Sequence, residues 1–271
     1  MISQMSRMLA EHVRLSTRLI GIPLLLAIGL AASILGFVEN AAAAEPLRFS
    51  LVKTAQTDSR GDFAWRRGGW QQQPPAHHVA VLIEHRGSRL LFGTGLGRHI
   101  DAQLDAELPW RIKRYGTVRP VRDQLEGDGL KIDRIVLGCV RWEHASGLAD
   151  FPEVPVLVSA QSLSYLSAAT PPAVLHSQFQ HSIDWHSLQF QPKRYLQYAQ
   201  SLDMFDDGQV VLVPLNTHGA VGLFLNLADG RRFFFRGDRL GEEDGASAEG
   251  ILTLQDADKQ VALGFYPRWV Q

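Results

Sequence analysis

Four side chains of different chemistry crowd into six positions: Cys139, Arg141, Glu143 and His144. A thiolate, a carboxylate and an imidazole are lone-pair donors that can ligate a metal. A carboxylate can also act as general base, and a thiol with a histidine nearby can act as nucleophile. Arg141 cuts against the first of these, because a guanidinium stays protonated and has no lone pair to donate. The flanking residues say what must position the cluster. Ile132, Ile135, Val136 and Leu137 form the apolar run of a covered strand, and Gly138 ends it. Ala145 to Phe151 reads as a short helix closed by Pro152 and Pro155, and Val156 to Val158 resumes β-type sequence. A polar cluster at the carboxyl end of a strand, opening into a helix, is where α/β proteins place their sites.

The chain of 271 residues is 45% hydrophobic and 20% charged, enough to bury a full core. With 27 basic and 28 acidic side chains the net charge is −1, so no global field draws it to nucleic acid, and none is expected as a partner. Arg7, Arg14 and Arg18 precede an uncharged apolar stretch, 19–38, and Ala41 to Ala44 supply small residues before Glu45. Residues 1–44 therefore read as an export signal, leaving a domain over 45–271. The apolar stretch is about 20 residues, so an uncleaved membrane tether through 19–38 is the alternative. Either way the domain is expected outside the cytoplasm: periplasmic or secreted, or anchored to the inner membrane facing outward. A single cysteine, Cys139, excludes an internal disulfide.

Leu47 to Lys53 reads as an opening strand, and Arg60 to Trp70 as a loop whose aromatics and arginines plug the core or line a groove. Val79 to Ile83 and Arg89 to Phe92 flank a turn at Arg86-Gly87-Ser88 and predict a hairpin. Gly93, Gly95 and Gly97 lack the spacing and the Lys-Ser or Lys-Thr pair of a phosphate loop, so nucleotide binding is rejected. Gln161 to Ala168 reads as a helix. His176, His181 and His186 recur at intervals of five, which turns about 140° per step on a helix and swaps faces on a strand. They cannot converge on one metal from a single element and read as loop and surface residues. Val210 to Val213, Ala220 to Leu227 and Arg231 to Arg236 read as strands joined by turns at Asn216 to Gly219 and Asp229-Gly230.

Strand, polar turn and short helix over 131–151, then VPLNTHGAVGLFL at 213–225, then FFFRGD at 233–238, resemble the metallo-β-lactamase superfamily, nearest its lactonase-like members. LLFGTGLG at 90–97 lies where that family writes Asp-Thr-Gly. The resemblance spans about Val79 to Asp238 and implies a four-layer αββα sandwich, mixed α and β, with zinc ions at the strand ends activating water. It implies a shortened or rearranged carboxyl-terminal part, since no histidine follows His218. The family's His-x-His-x-Asp-His motif falls on Cys139, Arg141, Glu143 and His144, of which His144 alone is identical. The next histidine ligand falls on Asn216, the bridging aspartate on Asp238, and the supporting aspartate on Gly93. The degenerate ligand positions are thus Cys139, Arg141 and Asn216.

The first zinc site is expected to be lost, because Arg141 would set a positive charge beside a divalent cation. At about 4 Å that repulsion is several kcal/mol even at an effective dielectric of about 20. Glu143, His144 and Asp238 keep the donors for one metal, with Cys139 a weaker candidate. Zinc is therefore expected at one site at most, or not at all. Arg141 then either takes the metal's place as the cation between carboxylates, within hydrogen-bond range of Glu143 or Asp238, or lies on the surface over a collapsed pocket. Three functions stay open. The first is a non-catalytic or altered family member that binds a small molecule in the old cleft. The second is a one-metal hydrolase of lactones or esters with Asp238 or Glu143 as base, and the third is a membrane-tethered interaction module.

Overall fold

The computed structural model describes residues 46–57, 63–66, 69–72, 76–110, 113–237, 251–253 and 257–271. Glu45–Gln271 forms one compact unit. Strand β1 (Arg48–Gln56) is followed by a separate hairpin of β2 (Phe63–Arg66) and β3 (Gly69–Gln72), then by β4 (His77–His85) and β5 (Ser88–Phe92). Helices α1 (Ile100–Glu107) and α2 (Val121–Glu126) lead to β6 (Arg134–Val136). Helix α3 (Trp142–Ala145) runs into a 3-10 turn at Ser146–Asp150, then come β7 (Val156–Val158), α4 (Ala160–Ala168) and β8 (Trp185–Ser187). Strands β9 (Leu202–Asp203), β10 (Val210–Pro214), β11 (Val221–Asn226), β12 (Arg232–Arg236) and β13 (Ile251–Thr253) precede α5 (Ala257–Leu263).

The first sheet has the order β1-β4-β5-β6-β7-β8 and the second β13-β12-β11-β10-β9. From β5 to β8 the strands are parallel, so helical crossovers return over one face. Side-chain alternation sorts the core into layers. Val81, Ile83, Leu90, Phe92 and Val136 face Leu212, Leu223, Leu225, Phe233 and Phe235 between the sheets. Ala80, Leu82, Leu91, Ile135 and Leu137 point the other way, against Val121, Leu125 and Leu148 beneath the helices. The triple phenylalanine divides by the same rule: Phe233 and Phe235 turn inward and Phe234 outward. On that outer face the Phe224 and Phe234 rings stack at 4.3 Å, covered by Tyr195, Leu196 and Tyr198. Among the described residues this loop, rather than a helix, packs with that cluster.

The mixed architecture of two packed sheets flanked by helices is the one the resemblance implied. After α5 the chain returns along β1, where Tyr266 N donates to Leu51 O at 2.8 Å and Val270 N to Phe49 O at 2.8 Å. This closes an edge that would otherwise expose unpaired backbone groups. Three sequence expectations change. The stretch from Arg60 to Trp70 contains paired strands, with Trp65 opposite Trp70, rather than a loop. The short helix begins earlier, at Trp142, and becomes a 3-10 turn from Ser146. Helices α1 and α2 had no counterpart in the sequence reading. Residues 1–45, including the apolar stretch, lie outside the described residues, among which no helix is long and apolar enough to cross a membrane.

Candidate functional site

The loop after β5 holds the polar helix in place. Thr94 N and Thr94 Oγ1 donate to His144 O at 2.9 and 2.8 Å, and Thr94 Oγ1 accepts from Gly147 N at 3.1 Å. Four further amides of the loop are also paired. Gly93 N bonds Val136 O, Leu96 N bonds Thr54 Oγ1, Gly97 N bonds Ser146 Oγ, and Arg98 N bonds the Asp150 carboxylate. At Gly93, with φ +67°, a Cβ would lie 3.6 Å from His144 Nδ1. A glycine at this position brings no side-chain oxygen to the imidazole.

The two sheets touch at their ends through glycines. Val221 N donates to Gly138 O at 2.8 Å and Gly237 N to Val221 O at 2.9 Å. A Cβ on Gly237 would come within 2.2 Å of Gly138 O, so the approach requires glycine. The chain leaving β12 is thereby set beside the chain leaving β6, which carries Cys139. Asp238 itself lies outside the described residues. Cys139 is 5% exposed and packs with Val213, Leu215 and Ala220. Among the described residues no three His, Cys, Asp or Glu groups are placed to hold a metal.

Arg141 and Glu143 form an ion pair, with Arg141 Nε donating to Glu143 Oε1 at 3.0 Å. The Glu143 side chain is 6% exposed and that of Arg141 26%. Burial alone would push the Glu143 carboxyl up, but the adjacent His144 and the Arg141 guanidinium outweigh it and hold the group below the ordinary carboxylate range. Burial likewise opposes the charge on Arg141, and Glu143 overcomes it, raising the guanidinium. Among the described residues Glu143 Oε2 is buried with no hydrogen-bond partner. The guanidinium of Arg141 and the amide of the exposed Asn216 are poor metal donors, the first having no lone pair to give.

The turn from Asn216 to Gly219 docks on the start of α4. Gly219 O accepts from Ser159 Oγ at 2.5 Å and Ser162 Oγ at 2.8 Å. His218 takes φ +49°, and its ring stacks on Tyr165 at 4.2 Å. Here a cleft of about 480 Å³ opens, lined by Gln161, Tyr165, Gln200, Asn216, His218 and the backbone around Pro214. Tyr165, Gln161 and Gln200 carried no sequence signal of function, since a helix face and a distant loop share no local motif. The three spaced histidines fall on different segments, His176 at the start of a 3-10 turn over His176–Phe179 and His186 on β8. His176 and His186 are exposed, while His181 is half-buried and burial lowers its imidazole pKa, which corrects the surface reading at that position.

Solved structures share this architecture. B. thuringiensis AiiA with N-decanoyl-L-homoserine bound at its active site aligns with TM-score 0.50 and 12% identity, over 69% of this chain and 74% of that one. An N-acyl homoserine lactone hydrolase with N-hexanoyl-L-homoserine at its catalytic metal centre gives 0.48 and 14%, over 71% and 74%. A probable metal-dependent hydrolase from Staphylococcus aureus gives 0.49 and 12%, over 72% and 74%. No protein-family model matches the chain, and no curated protein matches its sequence.

Proposed function

The chain has the metallo-β-lactamase fold, and on that premise we propose that the Arg141–Glu143 ion pair stands where a dinuclear zinc centre would. The domain then binds a small molecule without two-metal hydrolysis. The observation that carries this reading is the 3.0 Å bond from Arg141 Nε to a buried, ionised Glu143. A buried carboxylate needs a cation, and here a side chain supplies it where the fold's metal-dependent relatives use an ion. Fold alone does not carry the relatives' chemistry across.

A second reading, a one-metal hydrolase of lactone or ester substrates, rests on a different atom. Glu143 Oε2 accepts no hydrogen bond among the described residues, and with His144 and Asp238 it would supply ligands for one zinc. That zinc would act as a Lewis acid, with Glu143 or Asp238 taking a proton from water. Unfolding midpoints of the full chain in chelator and in excess zinc separate the two. The ion-pair reading expects equal midpoints. Zinc at about 100 times its dissociation constant would add about 2.7 kcal/mol, and a shift of that size abolished by His144→Ala would establish the second reading.

Residues 1–44 we assign to export, with the domain periplasmic, secreted or tethered outward through 19–38. A role as a tethered interaction module would place its face at 60–70, whose side chains lie outside the described residues. Detection of an intact amino terminus in the membrane fraction would support the tether over cleavage.

A further inference from the structure

Two clefts of about 480 Å³ open on the molecule, and they differ in charge. Arg98, Asp101, Lys113 and Asp123 line the first, each paired within the protein. Arg98 meets Asp123, Lys113 meets Asp105 at 2.8 Å, and Asp101 accepts from the Tyr115 hydroxyl at 2.5 Å. Among the described residues no Asp, Glu, Lys or Arg lines the second. It offers amides instead: Gln161 from the first turn of α4, Gln200 from the chain just past Tyr198, and Asn216 from the turn after β10. All three are exposed, and none of their side chains makes a hydrogen bond among the described residues.

The chemistry of that lining selects its ligand. A side-chain amide presents a carbonyl acceptor and N–H donors side by side. A carboxylate or phosphate accepts only, so it would leave the amide oxygens unmet and find no lining arginine or lysine. An ammonium donates only and would find no lining carboxylate. An apolar ligand would take water from three amides and return no hydrogen bond. A hydroxyl both donates and accepts, so it can pair with either end of each amide. Beside the amides the Tyr165 and His218 rings stack at 4.2 Å and 20°. An aromatic face is negative, and the C–H groups of a pyranose, whose carbons bear oxygen, carry partial positive charge toward it. The turn that holds Asn216 and His218 is fixed in advance. Ala220 N donates to Thr217 O at 2.8 Å, and Gly219 O accepts from Ser159 Oγ and Ser162 Oγ. A ligand therefore does not have to order it.

We propose that this cleft binds a neutral saccharide, its hydroxyls on the Gln161, Gln200 and Asn216 amides and a C–H face on the Tyr165–His218 ring pair. The volume lies within the range of about 300–1,000 Å³ common to small-molecule sites. The inference names a ligand class for the metal-free, small-molecule reading above and rests on that reading.

The test is titration calorimetry of the full chain, in chelator and again in excess zinc. The probes are glucose, N-acetylglucosamine, maltose and cellobiose, with glucuronate and glucosamine as charged counterparts of the first two. A neutral sugar should bind equally in both conditions, about fivefold or more tighter than its charged counterpart. Gln161→Ala and Gln200→Ala, at exposed positions that leave the fold intact, should each weaken it about threefold to tenfold. His218→Gly suits the left-handed φ of +49° while removing the ring, and should weaken it about twofold to tenfold. No sugar bound at millimolar concentration in either condition, charged sugars bound as tightly as neutral ones, or binding unmoved by all three variants would overturn the inference and leave the ion-pair reading to its own zinc test. Sugar binding that arises only in excess zinc would overturn both.

Discussion

Glu84 and Glu143 are both buried glutamates held by arginine, and the difference between them separates a structural pair from a site. Glu84, at the end of β4, has both oxygens satisfied: Arg89 Nε donates to Oε1 at 2.5 Å and Arg48 Nε to Oε2 at 2.7 Å. Glu143 has one oxygen satisfied, by Arg141 Nε, while its Oε2 is buried with no hydrogen-bond partner among the described residues. A group that serves only the fold is expected to be fully satisfied. Partial satisfaction distinguishes a group whose missing partner can come from outside the framework.

The comparison can be broken by removing one member of the pairs at a time. Arg141→Ala leaves a buried carboxylate alone and should cost about 2–3 kcal/mol in urea unfolding, at the lower edge of the range for buried pairs because the guanidinium is partly exposed. Glu84→Gln should cost about 1–2 kcal/mol at pH 7, by loss of charge-assisted bonds. Its pH dependence has a definite sign. Burial works against the Glu84 charge, but Arg89 and Arg48 outweigh it and place the folded carboxyl below its ordinary value. The pairing therefore stabilises fully above the unfolded value of about 4.3 and is lost as pH falls through the lower folded value. The gap between wild type and Glu84→Gln should close well below pH 4. Arg48→Ala should cost least, about 0.5–1 kcal/mol, because Arg48 is 40% exposed and Arg89 remains. Equal losses for Arg141→Ala and Arg48→Ala would remove the distinction between the two glutamates.

Much of this was legible in the sequence because alternation was strong where strands are buried. β7 falls where Val156 to Val158 predicted it, and Arg86-Gly87 makes the turn between β4 and β5 with φ of 50° and 75°. The pairing of Arg141 with Glu143 was one of two readings the sequence left open, and the 3.0 Å bond decides for it over a surface arginine. Helices α1 and α2 were not legible, being short and polar and held by a few anchors such as Ile100, Leu104, Val121 and Leu125. Such helices are set by tertiary packing rather than by propensity. The cleft was illegible for another reason. Tyr165 on α4 meets His218 in a left-handed turn because Gly219 packs against Ser162, where a Cβ would come within 2.4 Å of its amide nitrogen. No spacing within either segment encodes that contact.

The central claim is that a side-chain cation occupies the place of the metal. Its most direct test is the zinc content of the purified full chain, measured by plasma mass spectrometry after dialysis against zinc and then metal-free buffer, with His144→Ala alongside. The ion pair predicts far less than one zinc per chain, the same in both proteins. One or more zinc per chain in the wild type, lost in His144→Ala, would contradict it.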